Sequence, residues 1–574
     1  MRGRPLAAVL LCMVQALAWG AFAPAQAQVS DAPPLTPPLS PPSLDPSLKP
    51  LPPPPEGQTS PPPAAAVPEA NPSQPLAAPE AAPAEPPLAQ EPGPAAGDPV
   101  LAAIRTQLAD PAIGKDADAG DVAALAAFYA ARTEGPLWVT EMGFSARGQA
   151  AIFEIENADD WGLDAKAFAL PSASELPGSV AAQASAELKL DLAILQYARF
   201  ARGGRLVPAK VSELLDQTPT LRDPKLVLSE IATTDAPDAY LRSLHPKHEG
   251  FQRLRQALLL ARRSGDDGEG AKPAGSDKDI KRLIINMERW RWMPEDLGDI
   301  YVWNNSPAFM LYVVKDGKTI YADKTLVGTI GYATPVFTAE MKTIVFNPDW
   351  NAPETVVKEN ILPPLQQRNY SILRIHKLFV SYNGTPVDPT QIDWNRVNGL
   401  SYTFSQKPGP ANNLGKVKFL FPNRHTVYMH DTLPVRKKYF KEAARMIGHE
   451  CVRMEKPDKF AAILLAEDKG WPAERVKELW DNGVNSSVAL DKKIPVHMVY
   501  FTAVAYAGGK VDVSADVYGL DRKMAAALFG DATGFPEPPP ESKQPPSGEA
   551  DASTPAARRT TADNDFTRAM GMGD

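Results

Sequence analysis

Twenty-five of the chain's 60 prolines fall between Gln28 and Val100, in a stretch filled out by Ala, Glu, Ser and Gln and without one aromatic residue. Proline fixes φ and offers no amide hydrogen, and without bulky apolar side chains no core can form there. The tract 28–98 is therefore expected to be a disordered Pro/Ala-rich spacer, extended at ~3 Å per residue where proline is dense. The first 27 residues read as a signal peptide: Arg2 and Arg4 precede an apolar run from Leu6 to Ala18, and Ala25-Gln26-Ala27 supplies the small-x-small pattern before cleavage. That run is shorter than the ~20 residues needed to span a bilayer, and no later segment is long and apolar enough, so no transmembrane segment is expected after signal removal. A disordered tail is expected over 536–574. On the order of 430 residues remain, room for two or three domains.

The net charge of −8, from 60 basic and 68 acidic side chains, gives no electrostatic reason to expect nucleic acid. From Pro99 to Arg263 apolar residues recur at helical spacing: Leu188, Leu192, Leu195 and Ala198 step by four, three and three, so they share one helix face. Val122, Leu125, Phe128 and Tyr129, and Phe251, Leu254 and Leu258, follow the same pattern. A Gly, Asp and Lys-rich stretch, 264–278, reads as a linker. Ile280, Leu283, Ile284 and Met287 then form one more helical stripe, and from Ile300 the period becomes that of strands. Lys315-Asp316-Gly317-Lys318 and Gly508-Gly509 each sit between β-rich runs as hairpin turns. The expected fold is α+β: a mainly helical domain over 99–263, then a β-rich domain over 279–535. Two stretches interrupt the second domain, a long mixed one at about 353–402 and a basic, helical one from Pro434 to Ile447.

Removing the signal takes Cys12 and leaves Cys451 as the one cysteine. A thiol becomes a nucleophile as its thiolate, and needs a base to make it. His430, 21 positions upstream, and His449 are the candidates. His430 is favoured, because a residue on a neighbouring strand can approach the sulfur head-on whereas His449 would lie beside it on one extended segment. Two other readings use the same residues: a zinc site of His430, His449 and Cys451, and a groove that binds without turnover.

Val427-Tyr428-Met429-His430-Asp431-Thr432, followed by His449-Glu450-Cys451-Val452-Arg453, resembles the L,D-transpeptidase (YkuD-type) catalytic domain, whose motif is a His, a spacer, then Ser-His-Gly-Cys with Val and Arg or Asn after it. Asn286-Met287-Glu288-Arg289-Trp290-Arg291-Trp292, Asn347-Pro348-Asp349-Trp350-Asn351, Pro408-Gly409-Pro410, Asn413-Leu414-Gly415, Lys418-Phe419 and Asp516-Val517-Tyr518-Gly519 resemble the large periplasmic branch of that family. Phe128-Tyr129 and Pro136-Leu137-Trp138 resemble its helical scaffold domain.

The resemblance implies a periplasmic cysteine acyltransferase acting on peptidoglycan stem peptides, with no cofactor and no metal. Cys451 would form a thioester with a tetrapeptide stem and expel the terminal D-Ala, and His430 would take the thiol proton. Backbone amides beside Cys451 would hold the oxyanion. His449, Arg453, Tyr428 and Trp350 would support the site or bind substrate, and 353–402 would be a lid. The acceptor is left open: another stem, an envelope protein, a free D-amino acid or water. Gly448 and Glu450 stand where the family has Ser and Gly. A left-handed backbone at Glu450 would cost roughly 1–2 kcal/mol, and its carboxylate would disfavour the thiolate. A catalytically degenerate peptidoglycan-binding protein of the same fold is the alternative. The basic run Arg436, Lys437, Lys438 and Lys441 reads as a solvated face.

Overall fold

A computed structural model describes residues 98–263 and 275–538, apart from 116, 173, 175 and 177. The signal peptide, the spacer up to its last residue, most of the linker and the tail beyond 538 lie outside the described residues. The linker gives way to helix earlier than 278, since Ser276 accepts the Asp279 amide as an N-cap and the helix starts at Asp277.

The helical domain is built around α1 (Val180–Gly203). Leu188, Leu195 and Ala198 are buried and Leu192 is half-buried; Leu190, Ile194 and Tyr197 are buried as well, so the helix is covered on several sides, as a central bundle helix must be. Its polar residues Glu187 and Asp191 are also sealed in. Glu187 accepts the amides of Trp138 (2.9 Å) and Val139 (3.0 Å), and Asp191 accepts the Trp138 indole (2.7 Å). Tyr129 Oη lies 2.7 Å from the Asp191 carboxyl, which burial holds well above the usual carboxylate range. Tyr129 and Leu137-Trp138 in the sequence motifs are thus the partners of α1's buried carboxyls.

α2 (Asp277–Arg291) joins the two halves. Glu288 accepts the amides of Arg205 and Leu206, Arg291 donates to the Trp161 carbonyl at 2.6 Å, and Arg289 pairs with buried Asp521 at 2.6 Å. Trp290 stacks on Trp303 at 5.5 Å and packs at a tilt on Phe501 at 4.9 Å. The charged side chains of this motif are buried and matched across a joint.

The second half is a closed eight-stranded barrel of β1 (Ile300–Asn305), β2 (Met310–Lys315), β3 (Lys318–Leu326), β4 (Phe337–Phe346), β5 (Val417–Leu420), β6 (Met429–His430), β7 (Val452–Met454) and β8 (Ser486–Val499). The order around it is β5-β6-β7-β3-β2-β1-β8-β4, with β4 closing on β5. The β6–β7 and β8–β1 pairs are parallel, the rest antiparallel. Asp316 (φ 49°) and Gly317 (φ 72°) form the two-residue turn between β2 and β3, both with the positive φ that a twist-matched hairpin needs. Leu311, Ile344, Phe419, Met429, Val452 and Met498 fill the interior, and α3 (Pro457–Lys469) and α4 (Leu520–Phe529) cover it with Phe460, Leu464, Leu520 and Met524.

Residues 353–402 form a small unit whose core of Val357, Ile361, Leu365, Leu373, Val380 and Trp394 is completed by Phe404 from the strand that follows. It is anchored through Phe379–Tyr382, which pairs with Tyr402–Gln406, which in turn pairs with Trp350–Asn351. The basic stretch 434–447 is helical only as 3₁₀ turns from Pro434 to Lys441; the rest runs as irregular chain zipped along the end of β3.

Candidate active site

Strand alternation assembles the site. Along β6, Val427 and Met429 point into the barrel and Tyr428 and His430 to the other face; along β7, Val452 and Met454 point in and Cys451 and Arg453 out. Because β6 and β7 are parallel neighbours, with Met429 facing Val452 and His430 facing Arg453, these four outward side chains share one patch. The patch floors a cavity of about 680 Å³ walled by the 353–402 unit. Trp350, Tyr428, His430, His449, Cys451 and Arg453, drawn from three stretches of the sequence, all line it.

The turn that presents Cys451 is clamped from two sides. Ile447 donates its amide to Val327 O at 2.7 Å, and Thr329 donates its amide to Gly448 O at 3.0 Å. Thr334 Oγ1 donates to Glu450 O at 2.8 Å while accepting the Gly328 amide at 3.0 Å, and Tyr518 Oη donates to Gly328 O at 2.8 Å. The distant Asp516–Gly519 motif thereby props the turn that carries Cys451. From above, Arg453 Nη1 donates to the carbonyls of Ile447 (3.0 Å) and Cys451 (3.3 Å). The left-handed residue is Gly448 (φ 80°), not Glu450, and a Cβ on Gly448 would stand 2.9 Å from Arg453 Nη2. The expected strain at Glu450 is absent, because the glycine has moved to the position where the turn bends.

Cys451 is partly exposed. Burial of its sulfur pushes the thiol pKa up, with Glu450 adding to the shift, while the Tyr428 amide and the Arg453 guanidinium oppose it. His430 is 2 % exposed, and burial followed by Arg453 holds its ring well below the ordinary imidazole range. Its Nδ1 has no hydrogen-bond partner among the described residues, and no hydrogen bond joins it to Cys451. Both shifts favour the uncharged forms, a thiol and a neutral imidazole, on the wall of one cavity. His449 packs its ring on Tyr332 at 4.2 Å and is likewise depressed by burial. Burial and Arg436 bring Arg453 down to about 10. Among the described residues no three His, Cys, Asp or Glu side chains group as metal ligands, so His430, His449 and Cys451 do not form the zinc arrangement.

Sequence reasoning missed part of the wall. His425 lines the cavity and its Nε2 lies 2.7 Å from Asp216 of the helical half, which also pairs with Arg424. Next to it, β-branched Thr426 is held at φ 56°. Its neighbours fix it, since Asn423 Oδ1 accepts the amides of His425 (3.0 Å) and Val427 (3.1 Å). No spacing links Asp216 to His425 in the sequence. Of the basic run, Lys437 reaches Asp431 at 3.5 Å and Lys438 lies over Tyr439, but Arg436 turns into the cavity.

Comparison with known proteins agrees with this architecture. Residues 123–258 match the scaffold domain and residues 299–485 the L,D-transpeptidase catalytic domain. A Haemophilus influenzae protein named "Putative L,D-transpeptidase" is 33% identical over 264 residues, which are 44% of this chain and 51% of that protein. The chain thus spans about half the length of that curated relative. It carries a helical scaffold domain followed by a β-rich barrel that matches the L,D-transpeptidase catalytic domain.

Proposed function

We propose that this protein is an exported peptidoglycan L,D-transpeptidase in which Cys451 is the nucleophile and His430 the base. The observation that carries the reading is the convergence of Cys451 and His430, from parallel strands β7 and β6, on one walled cavity within the matched domain. A tetrapeptide stem entering the cavity brings its scissile carbonyl to the sulfur. His430, whose burial favours the neutral ring, accepts the thiol proton as the sulfur attacks, and returns it to the departing D-Ala amine. The thioester divides one amide exchange into two lower barriers. Arg453 stabilises the negative charge that forms on sulfur and holds the turn through the Ile447 and Cys451 carbonyls. Tyr428, His449 and Trp350 bound the groove, and the 353–402 unit excludes water from the thioester, which favours an amine acceptor over hydrolysis.

Export by the signal peptide over residues 1–27 would put the enzyme beside its substrate, and no described helix is long and apolar enough to cross a membrane. Incubating the purified protein with tetrapeptide muropeptides tests the reading. Released D-Ala with crosslinked or amine-exchanged products, abolished in Cys451→Ala, is the expected outcome. Retained muropeptide binding with no D-Ala release would leave only the degenerate, wall-binding alternative.

A further inference from the structure

Asp216 sits where the helical half meets the wall of the cavity. The segment that carries it is held on the barrel by other means: Leu215 is fully buried in the barrel's core, the Asp216 amide donates to Val336 O at 2.8 Å, and the Val336 amide donates to Leu214 O at 2.7 Å. Docking of the segment therefore does not need the Asp216 side chain. Its carboxylate instead crosses to the loop before β6, where Oδ2 lies 2.7 Å from His425 Nε2 and Oδ1 lies 2.5 Å from Arg424 Nη2.

That loop holds His425 and Thr426 against the cavity. The Asn423 side chain accepts the amides of His425 and Val427 and donates to the carbonyls of Phe421 and Val427, both at 2.7 Å, so it closes the loop on itself. Thr426 is kept at φ 56°, a conformation that a β-branched residue adopts only where its surroundings impose it. Both His425 and Thr426 line the cavity, and the chain then runs through Tyr428 into His430 of β6. The His425 ring packs on Phe337 at 5.3 Å, so Phe337 sets its face and Asp216 its Nε2 edge. A carboxylate only accepts, so Nε2 carries the proton shared with Asp216, and in the neutral ring that leaves Nδ1 as the acceptor. An imidazole gripped through one nitrogen and set in a cavity wall is a preorganised ligand contact.

Building on the transferase reading above, we propose that the helical half contributes directly to the cavity: Asp216 is a positioning residue that fixes the ring and tautomer of His425, and His425 Nδ1 accepts an N–H of the stem peptide bound beside Cys451. The scaffold is then part of the binding site rather than a support behind it. The contact acts on how tightly the stem is held and not on the reactivity of the sulfur.

The test uses the full chain and a tetrapeptide muropeptide. Stem binding is measured by calorimetry on proteins that also carry Cys451→Ala, so that no turnover is needed, and reactivity by iodoacetamide alkylation of Cys451 in the same variants without that change. Asp216→Ala and His425→Phe, the second keeping a ring against Phe337, should each weaken binding about five- to tenfold, the value of one hydrogen bond, and leave alkylation at the parent rate. Combined, they should weaken it no further than His425→Phe alone, because Asp216 acts through His425. Asp216→Asn still offers an oxygen to Nε2 and should bind within about twofold of the parent. Arg424→Ala removes the exposed partner of the same carboxylate and should bind like the parent. Undiminished binding in Asp216→Ala or in His425→Phe would overturn the proposal. So would multiplying effects in the double variant, or a fall in alkylation that matches the loss of binding. A parent protein that forms no Cys451 adduct would refute the transferase reading, and the binding series would still decide the role of Asp216.

Discussion

Gly448→Ala puts one methyl group at the turn that carries Cys451, and its effect can be worked from the geometry. Gly448 has φ 80°, a region that costs an L-residue roughly 1–2 kcal/mol. The new Cβ would also meet Arg453 Nη2, Nη1 and Cζ at 2.9, 3.2 and 3.3 Å, so it presses on the planar guanidinium as a whole rather than on one flexible end. Moving that group strains its bonds to Ile447 O and Cys451 O, each worth up to ~1.5–3 kcal/mol as a charge-assisted contact. Together these give a local penalty of about 2–4 kcal/mol, most of it released if the turn shifts. A shift on the order of 1 Å at the sulfur would slow acylation about a hundredfold. Denaturant unfolding and the rate of Cys451 acylation by a tetrapeptide stem report the two effects. Glu450→Gly is the matched control for the stability measurement alone, since it relieves no strain and leaves Arg453's bonds to Ile447 O and Cys451 O in place, whereas removing its carboxylate would itself change acylation. A Gly448→Ala protein as stable and as quickly acylated as its parent would refute this account of the turn.

Raising the Cys451 pKa by burial leaves little thiolate at neutral pH, so alkylation by iodoacetamide should climb about tenfold per pH unit through neutrality. A plateau already reached below pH 7 would show a preformed thiolate instead. His430→Gln should slow acylation by about 10²–10⁴ with binding retained, measured as single-turnover D-Ala release. Asp521→Ala strands buried Arg289, and denaturant titration should show a loss of roughly 3–5 kcal/mol.

What could be read from the sequence was whatever local chemistry imposes. Asp316-Gly317 dictates a hairpin through its positive φ values, and the Leu188–Ala198 stripe dictates a buried helix face through its period. The six candidate site residues were legible as motif members, and alternation along β6 and β7 explains why Tyr428, His430, Cys451 and Arg453 share a face. Two kinds of feature escaped. Contacts between distant segments leave no spacing to detect, as with Asp216 and His425 or Tyr518 and Gly328. Side-chain direction on irregular backbone also escaped: nothing in Arg-Lys-Lys says that Arg436 alone faces inward, or that the left-handed residue of Gly448-His449-Glu450 is the glycine already present. The segment 434–447 reads as helical in the sequence, but the hydrogen bonds of Arg445 and Ile447 with Val327 hold its second half as irregular chain.

The central claim is that the Cys451 sulfur is a nucleophile activated by His430. Intact-protein mass spectrometry of a quenched mixture with a tetrapeptide stem measures it directly. The account requires one acyl group, the stem less its terminal D-Ala, mapped to Cys451, absent from Cys451→Ser and accumulating far more slowly in His430→Gln. A full-length protein that binds the stem yet carries no acyl group, or one that releases D-Ala at the parent rate after Cys451→Ser, would contradict it.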